Sequence, residues 1–182
     1  MADEELGRVF IEQARHFLSI EYRTKLRHSV EALPPDVIWL RPNESSNSVG
    51  NLLLHLAGNI RQWIVSGVGG AQDVRHRAEE FSARDGRPAA ALLDALDRVL
   101  DEVDDVLARL EPSALLERRT FQARELTVFE AIFHVVEHFS YHLGQIVLVA
   151  KAAAPGGIEF YEDADGKARP VWTSLVRPRS SR

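Results

Sequence analysis

Four long stretches of this sequence place apolar residues three and four positions apart, and each ends at a proline or glycine break. A chain of 182 residues holding four such stretches has room for little besides helices. The expected fold is all-α: an antiparallel four-helix bundle over residues 1–154, followed by a short C-terminal extension over residues 155–182.

The first pattern covers about residues 3–32, with Leu6, Phe10, Phe17, Ile20, Leu26 and Val30 on its apolar side, and stops at Leu33-Pro34-Pro35. The second opens near Ser48, with Asn47 or Ser48 as N-cap, and stops at Gly67-Val68-Gly69-Gly70. Residues 73–88 are polar and irregular and read as a long loop with room for a helical turn. The third pattern, about residues 89–110, sets Leu92, Leu96, Val99, Val103, Val106 and Leu110 in one stripe and ends at Glu111-Pro112. Asp94, Asp97, Asp101, Asp104 and Asp105 lie off that stripe. They lack the spacing of a calcium loop, so they read as a solvated face. Thr127-Val128-Phe129-Glu130 is a capping box that starts the fourth helix, which runs to about residue 154. In the extension, Asp163-Ala164-Asp165-Gly166 between two apolar segments predicts a small hairpin, with a frayed basic end after it.

Composition removes several kinds of function. With no cysteine there is no disulfide, no cysteine thiolate nucleophile and no zinc-finger or iron–sulfur ligand set. A net charge of −5 and a pI of about 5.8 argue against a broad nucleic-acid face. No uncharged apolar run approaches the ~18–20 residues that span a bilayer. The opening Met1-Ala2-Asp3-Glu4-Glu5 is acidic where a secretory signal is basic, so a cytoplasmic location is expected. No nucleophile elbow, dinucleotide-binding glycine pattern or P-loop is present.

The densest chemistry lies in Phe133-His134-Val135-Val136-Glu137-His138-Phe139-Ser140-Tyr141-His142-Leu143-Gly144-Gln145. His134, His138 and His142 climb one helix face, and adjacent turns are ~6 Å apart, near enough for two imidazoles to share an ion. His134 and His142, ~12 Å apart along the axis, cannot both hold it. The usable pair is His134/His138 or His138/His142. A third ligand has to come from another helix, and His55, set in Leu52-Leu53-Leu54-His55-Leu56-Ala57, is the candidate. Ser48, Asn51, His55, Asn59 and Gln62 form one polar stripe; Thr127, Glu130, His134, His138, Tyr141, His142 and Gln145 form another. The two stripes are either solvent faces or the walls of a shared polar cavity, and histidines four apart are by themselves a weak metal signal. His16, His28 and His76 have no companions. Glu137 points ~100° around the helix from His138 and is not placed as a general base. A surface salt bridge is the expected fate of Arg61.

Asn47-Ser48-Val49-Gly50-Asn51-Leu52-Leu53-Leu54-His55 through Trp63, together with Glu137-His138-Phe139-Ser140-Tyr141-His142-Leu143-Gly144-Gln145-Ile146, resembles the DinB/YfiT-like four-helix bundle proteins over about residues 1–154. The Arg61-Gln62-Trp63 and Gly67–Gly70 region is similar to a subfamily described mainly as uncharacterised. The resemblance implies one divalent metal per chain on His55, His138 and His142, with His134 outside the ligand set, and it implies a homodimer. Tyr141 stands where the family commonly has another histidine. Zinc or nickel is favoured, and iron or manganese suits the same donors. Relatives with this triad imply thiol-dependent transfer using bacillithiol, mycothiol or glutathione. The alternatives are a hydrolase using a metal-activated water and a non-catalytic metal-binding or sensor module. The expected partner is a small-molecule substrate such as a low-molecular-weight thiol, with no nucleic acid or membrane expected. Asn51, Asn59, His134 and Gln145 are candidates to orient an imidazole or contact a ligand.

Overall fold

The structure, a computed structural model, describes residues 2–154 and 156–177; the basic end expected at residues 178–182 lies outside them. The first helical stretch is continuous: α1 (Ala2–His16), a π-helical segment (Phe17–Tyr22) and α2 (Arg23–Glu31), with His16 and Tyr22 at the junctions keeping helical torsions. α3 (Val49–Ile60) likewise runs into a π-helical segment (Arg61–Val68), after which the Gly69 amide donates to the Ile64 carbonyl five residues back, at 2.8 Å. A short helix α4 (Arg77–Ser82) precedes α5 (Ala89–Ala108), and α6 (Val128–Ala153) is the longest element.

Two expected helix starts are present. Of Asn47 and Ser48, the cap is Ser48: its hydroxyl accepts from the Asn51 amide, and the Asn51 side chain accepts from the Ser48 amide. Thr127 and Glu130 close the same reciprocal pair at α6. The four long helical stretches pack on one another around a core that includes Leu18, Leu26, Leu53, Leu56, Ile60, Ile64, Leu96, Leu100, Ile132 and Phe139, all fully buried. No described helix is long and apolar enough to cross a membrane.

The chain is predominantly helical, with two short antiparallel hairpins added. β1 (Arg118–Phe121) pairs with β2 (Arg124–Thr127), Arg118 opposite Thr127. This hairpin was not expected, because Gln122 and Ala123 hold its turn at φ of 49° and 63° with neither glycine nor asparagine to signal it. β3 (Tyr161–Ala164) pairs with β4 (Lys167–Pro170) in the extension, and there the signal is ordinary: Gly166 takes φ 75° and its amide donates to Asp163 Oδ1 at 2.8 Å.

The aspartate face of α5 is not simply solvated. Arg15 grips Asp104 through Nε and Nη2 at 2.9 and 3.2 Å, and Arg23 meets Asp97 and Asp101 at 2.8 and 2.7 Å. Arg27 also reaches Asp97. Charge-assisted bonds of this kind register the first helical stretch against α5. The extension is held by its aromatic side chains. Ile158, Phe160 and Trp172 are buried, and Lys25 Nζ lies 4.7, 5.3 and 5.8 Å from the ring centroids of Tyr161, Trp172 and Phe160. The same ammonium donates to Glu21 and to the Tyr161 hydroxyl.

Trp172→Ala removes the largest of these buried side chains and is expected to cost about 3 kcal/mol of unfolding free energy, read by denaturant titration. A loss under about 1 kcal/mol would show that Trp172 does not anchor the extension to the fold.

Candidate metal centre

His55, in the middle of α3, is buried at 5 % exposure, while His138 and His142 project from successive turns of α6 and are half-buried. One ring nitrogen from each forms a trio whose members all lie within 4.8 Å of one another. His55 Nε2 and His138 Nε2 are 2.9 Å apart, close to the ~3 Å separation of two imidazole nitrogens bound to one ion at ~2.0–2.1 Å each. The rings stand nearly perpendicular in pairs, at interplanar angles of 76°, 84° and 87°, with centroids 4.5–5.0 Å apart. Helical spacing left two pairs open on α6; the packing brings His138 and His142 to His55. His134 lies one turn away, 5.4 Å from the His138 ring and 4.3 Å from Trp63.

The far nitrogens decide what the near ones can do. His55 Nδ1 donates to Glu80 Oε2 at 2.9 Å, and His142 Nδ1 donates to Gln145 Oε1 at 2.8 Å. A proton fixed on Nδ1 leaves the Nε2 lone pair of each ring available, and carboxylate or amide acceptors commonly serve metal-binding histidines in this way. Arg75 clamps Glu80 through Nε–Oε1 at 2.7 Å and Nη2–Oε2 at 2.8 Å, with the Arg75 side chain 4 % exposed and that of Glu80 8 %. Nη2 also lies 3.2 Å from His55 Nδ1, but its proton goes to the nearer carboxylate oxygen. Burial alone would raise the Glu80 pKa; the bonds from Arg75 and His55 outweigh it and hold the carboxyl below its ordinary value.

Burial, followed by the neighbouring His142, His55, His134 and Arg75, pushes His138 down from 6.5 to about 3. Burial also lowers His142, against the raising effect of Gln145, and it lowers His134. The α6 imidazoles are therefore neutral at pH 7, the form that donates a lone pair to a divalent cation. Three imidazole nitrogen donors, with Nδ1 of His55 and of His142 held by acceptors, fit zinc, nickel, iron or manganese in donor softness.

The remaining candidates fall into different places. Asn51 does not touch an imidazole: its Nδ2 donates to the carbonyls of Glu80 and Ala83 at 2.8 and 2.9 Å, and its Oδ1 accepts from Ser48 and Arg41. It fixes α4, which carries Glu80. Asn59 is buried at 4 % exposure one turn beyond His55. Gln62 accepts from Arg75 Nη1 at 2.8 Å. Arg61 faces Glu102 at 3.6 Å as a surface ion pair, and Glu137 is exposed.

Arg75 and Glu80 were missed because they sit in the polar segment 73–88, with Glu80 25 residues from His55 and outside any helical repeat. The one usable signal was Phe81, an aromatic in that polar run, whose ring packs 4.8 Å from His55. Gly58 is the second hidden partner. A Cβ there would run into the Glu80 carboxylate, lying 2.9 Å from Cδ and nearer still to Oε1.

A family model described as "Protein of unknown function (DUF1572)" matches residues 5–159. No curated protein matches the chain. A DinB-like protein from Bacillus cereus ATCC 10987 superposes with a TM-score of 0.60 at 17% identity, over 75% of this chain and 91% of that one. A DinB-like protein from Bacillus subtilis superposes with a TM-score of 0.61 at 19% identity, over 82% of this chain and 96% of that one. At these identities the likeness shows the fold.

Two outcomes follow from the geometry. Gly58→Ala is expected to leave α3 helical but to displace Glu80, so that the low-field proton resonance expected of His55 Nδ1–H in the wild type is lost. In the metal-free protein the His138 ring is expected to protonate only near pH 3; titration near 6.5 in a proton NMR series would show that it is not held neutral.

Proposed function

The chain belongs to the DUF1572 family and carries a DinB-like fold, and on that premise we propose that it is a divalent-metal-dependent enzyme whose ion is held by His55, His138 and His142. One observation carries the reading: three imidazole nitrogens from two helices converge, and Nδ1 of both His55 and His142 is tied to an acceptor. We read the four long helical stretches as an antiparallel bundle, which sets α3 and α6 face to face and lets one histidine of the first answer two of the second.

Three protein ligands leave positions on the ion for another molecule, the arrangement of a catalytic centre rather than a purely structural one. The chemistry that an ion there supplies is Lewis acidity, which favours the thiolate of a low-molecular-weight thiol (bacillithiol, mycothiol or glutathione type) for transfer to an electrophilic second substrate. What favours thiol transfer over hydrolysis is the condition of Glu80. It is the carboxylate in contact with the triad, and both its oxygens are already engaged by Arg75 and His55, so it is not free to take a proton from water. The chain has no cysteine, and the thiol arrives as cosubstrate.

The residues around the trio have distinct tasks in this reading. Glu80 keeps the His55 proton on Nδ1, Arg75 keeps Glu80 ionised, Gln145 sets the His142 ring, and Phe81 shields the buried side of His55 from water. Zinc or nickel suits the three nitrogens best, in a cytoplasmic homodimer by resemblance to the DinB/YfiT-like proteins.

Elemental mass spectrometry tests the centre. The wild type is expected to carry about one divalent ion per chain, lost in His55→Ala, His138→Ala and His142→Ala and kept in His134→Ala. Thiol-dependent transfer that also vanishes in His55→Ala supports the enzyme. A metal-loaded wild type inert toward every thiol and ester tried would favour a binding or sensor module, and a wild type that takes up no divalent ion would end the metal reading.

A further inference from the structure

The polar strip that holds the triad continues past it. On α3, Asn59 follows His55 by one turn and precedes Trp63 by one turn, so the three share a face. Both flanking rings meet α6: His55 meets His138 and His142, and the Trp63 ring lies 4.3 Å from His134. Asn59 is thus carried between two points of contact with α6, opposite the turn joining His134 to His138. Beyond it the strip is closed by Phe121 of β1, stacked on Trp63 with centroids 5.5 Å apart.

Asn59 differs from every other amide around the centre. Asn51, Gln62 and Gln145 are all hydrogen-bonded to protein groups. Asn59 is 4 % exposed, and its Oδ1 has no hydrogen-bond partner among the described residues. A buried carbonyl oxygen without a donor is costly to keep, and an apolar side chain of the same shape would avoid that cost. A group that weakens the fold, one turn from His55 on the same helix face, is explained when a ligand completes it.

We propose that Asn59 Oδ1 is the specificity-determining acceptor of the site, reading an N–H or O–H donor on the small molecule bound at His55, His138 and His142. The inference rests on the metal-dependent reading above and narrows its substrate class: a donor-bearing thiol, with an amide, amine or hydroxyl near its sulfur, rather than a simple alkyl thiol. A site built to hydrogen-bond a substrate group discriminates against the analogue that lacks it, because the buried protein atom is then left unpaired.

Two measurements test it. In the metal-free protein, Asn59→Leu is expected to raise the melting temperature by about 2–4 °C, because an unpaired acceptor is exchanged for an apolar isostere. A lower melting temperature would show that Asn59 is a packing amide and would overturn the assignment without reference to any metal. In the cobalt-loaded protein, thiol binding is followed by sulfur-to-cobalt absorption, with N-acetylcysteamine, which carries an amide N–H, compared with 1-propanethiol, which carries no such donor. The wild type is expected to bind N-acetylcysteamine about tenfold more tightly. Asn59→Leu is expected to lose that preference at unchanged cobalt content, and Asn59→Asp, which keeps the acceptor, to retain it. Equal binding of both thiols by the wild type, or a preference that survives in Asn59→Leu, overturns this assignment alone. Cobalt uptake with no response to either thiol overturns the thiol reading together with it. Failure of the wild type to take up cobalt sinks the metal centre itself, while the melting comparison still judges Asn59.

Discussion

The two-pronged bond between Arg75 and Glu80 is the contact on which the candidate site depends. A carboxylate as enclosed as Glu80 would shed its charge in an apolar setting, and a protonated acid could not anchor an imidazole in the same manner. The guanidinium beside it makes the ionised form the stable one. From there the order passes to His55, whose outward proton is fixed and whose inward lone pair is released. The support also extends backward. Asn51 holds two carbonyls of the α4 segment, Arg41 holds the Phe81 carbonyl, and Gln62 takes a further Arg75 proton. A six-residue helix, too short to persist alone, is thereby made a fixed wall of the site.

Polar registration and apolar packing divide the work between them. Leu53, Leu56, Leu96, Leu100 and Phe139 supply the area removed from water, a term that is large but indifferent to small slides along the helix axes. Arg15, Arg23 and Arg27 against the aspartates of α5 are directional and resist such slides. Buried ion pairs add little net stability once desolvation is counted, yet misplacing one partner is expensive. This division suits a centre that needs three nitrogen atoms held in one place.

Much of this was legible in the chain, for identifiable reasons. The long helices announced themselves through period and breakers, and Ser48 and Thr127 through their caps. The histidine trio was reached by spacing on α6 and completed by family resemblance, since spacing alone could not choose between His134 and His142. The failures share a different cause. Arg75 and Glu80 act across a loop, and no periodic signal connects residue 80 with residue 55. The β1–β2 turn uses Gln122 and Ala123 in a conformation that these residue types rarely adopt. An aspartate-rich helix face looks the same in sequence whether water or arginines lie against it, so the ladder on α5 read as solvated.

Asn51 and Asn59 stand two turns apart on one helical stretch and carry the same side chain in opposite conditions. Every polar atom of Asn51 is engaged: Oδ1 by Ser48 and Arg41, both Nδ2 protons by carbonyls of the α4 segment. Aspartate at that position lacks the donors, glutamine is a methylene too long, and leucine offers neither donor nor acceptor. Position 51 therefore admits a single letter of the amino-acid alphabet on structural grounds alone. Position 59 would accept several as far as folding is concerned. Drift at the first can only break the protein, whereas drift at the second can change what the protein recognises while leaving its architecture untouched.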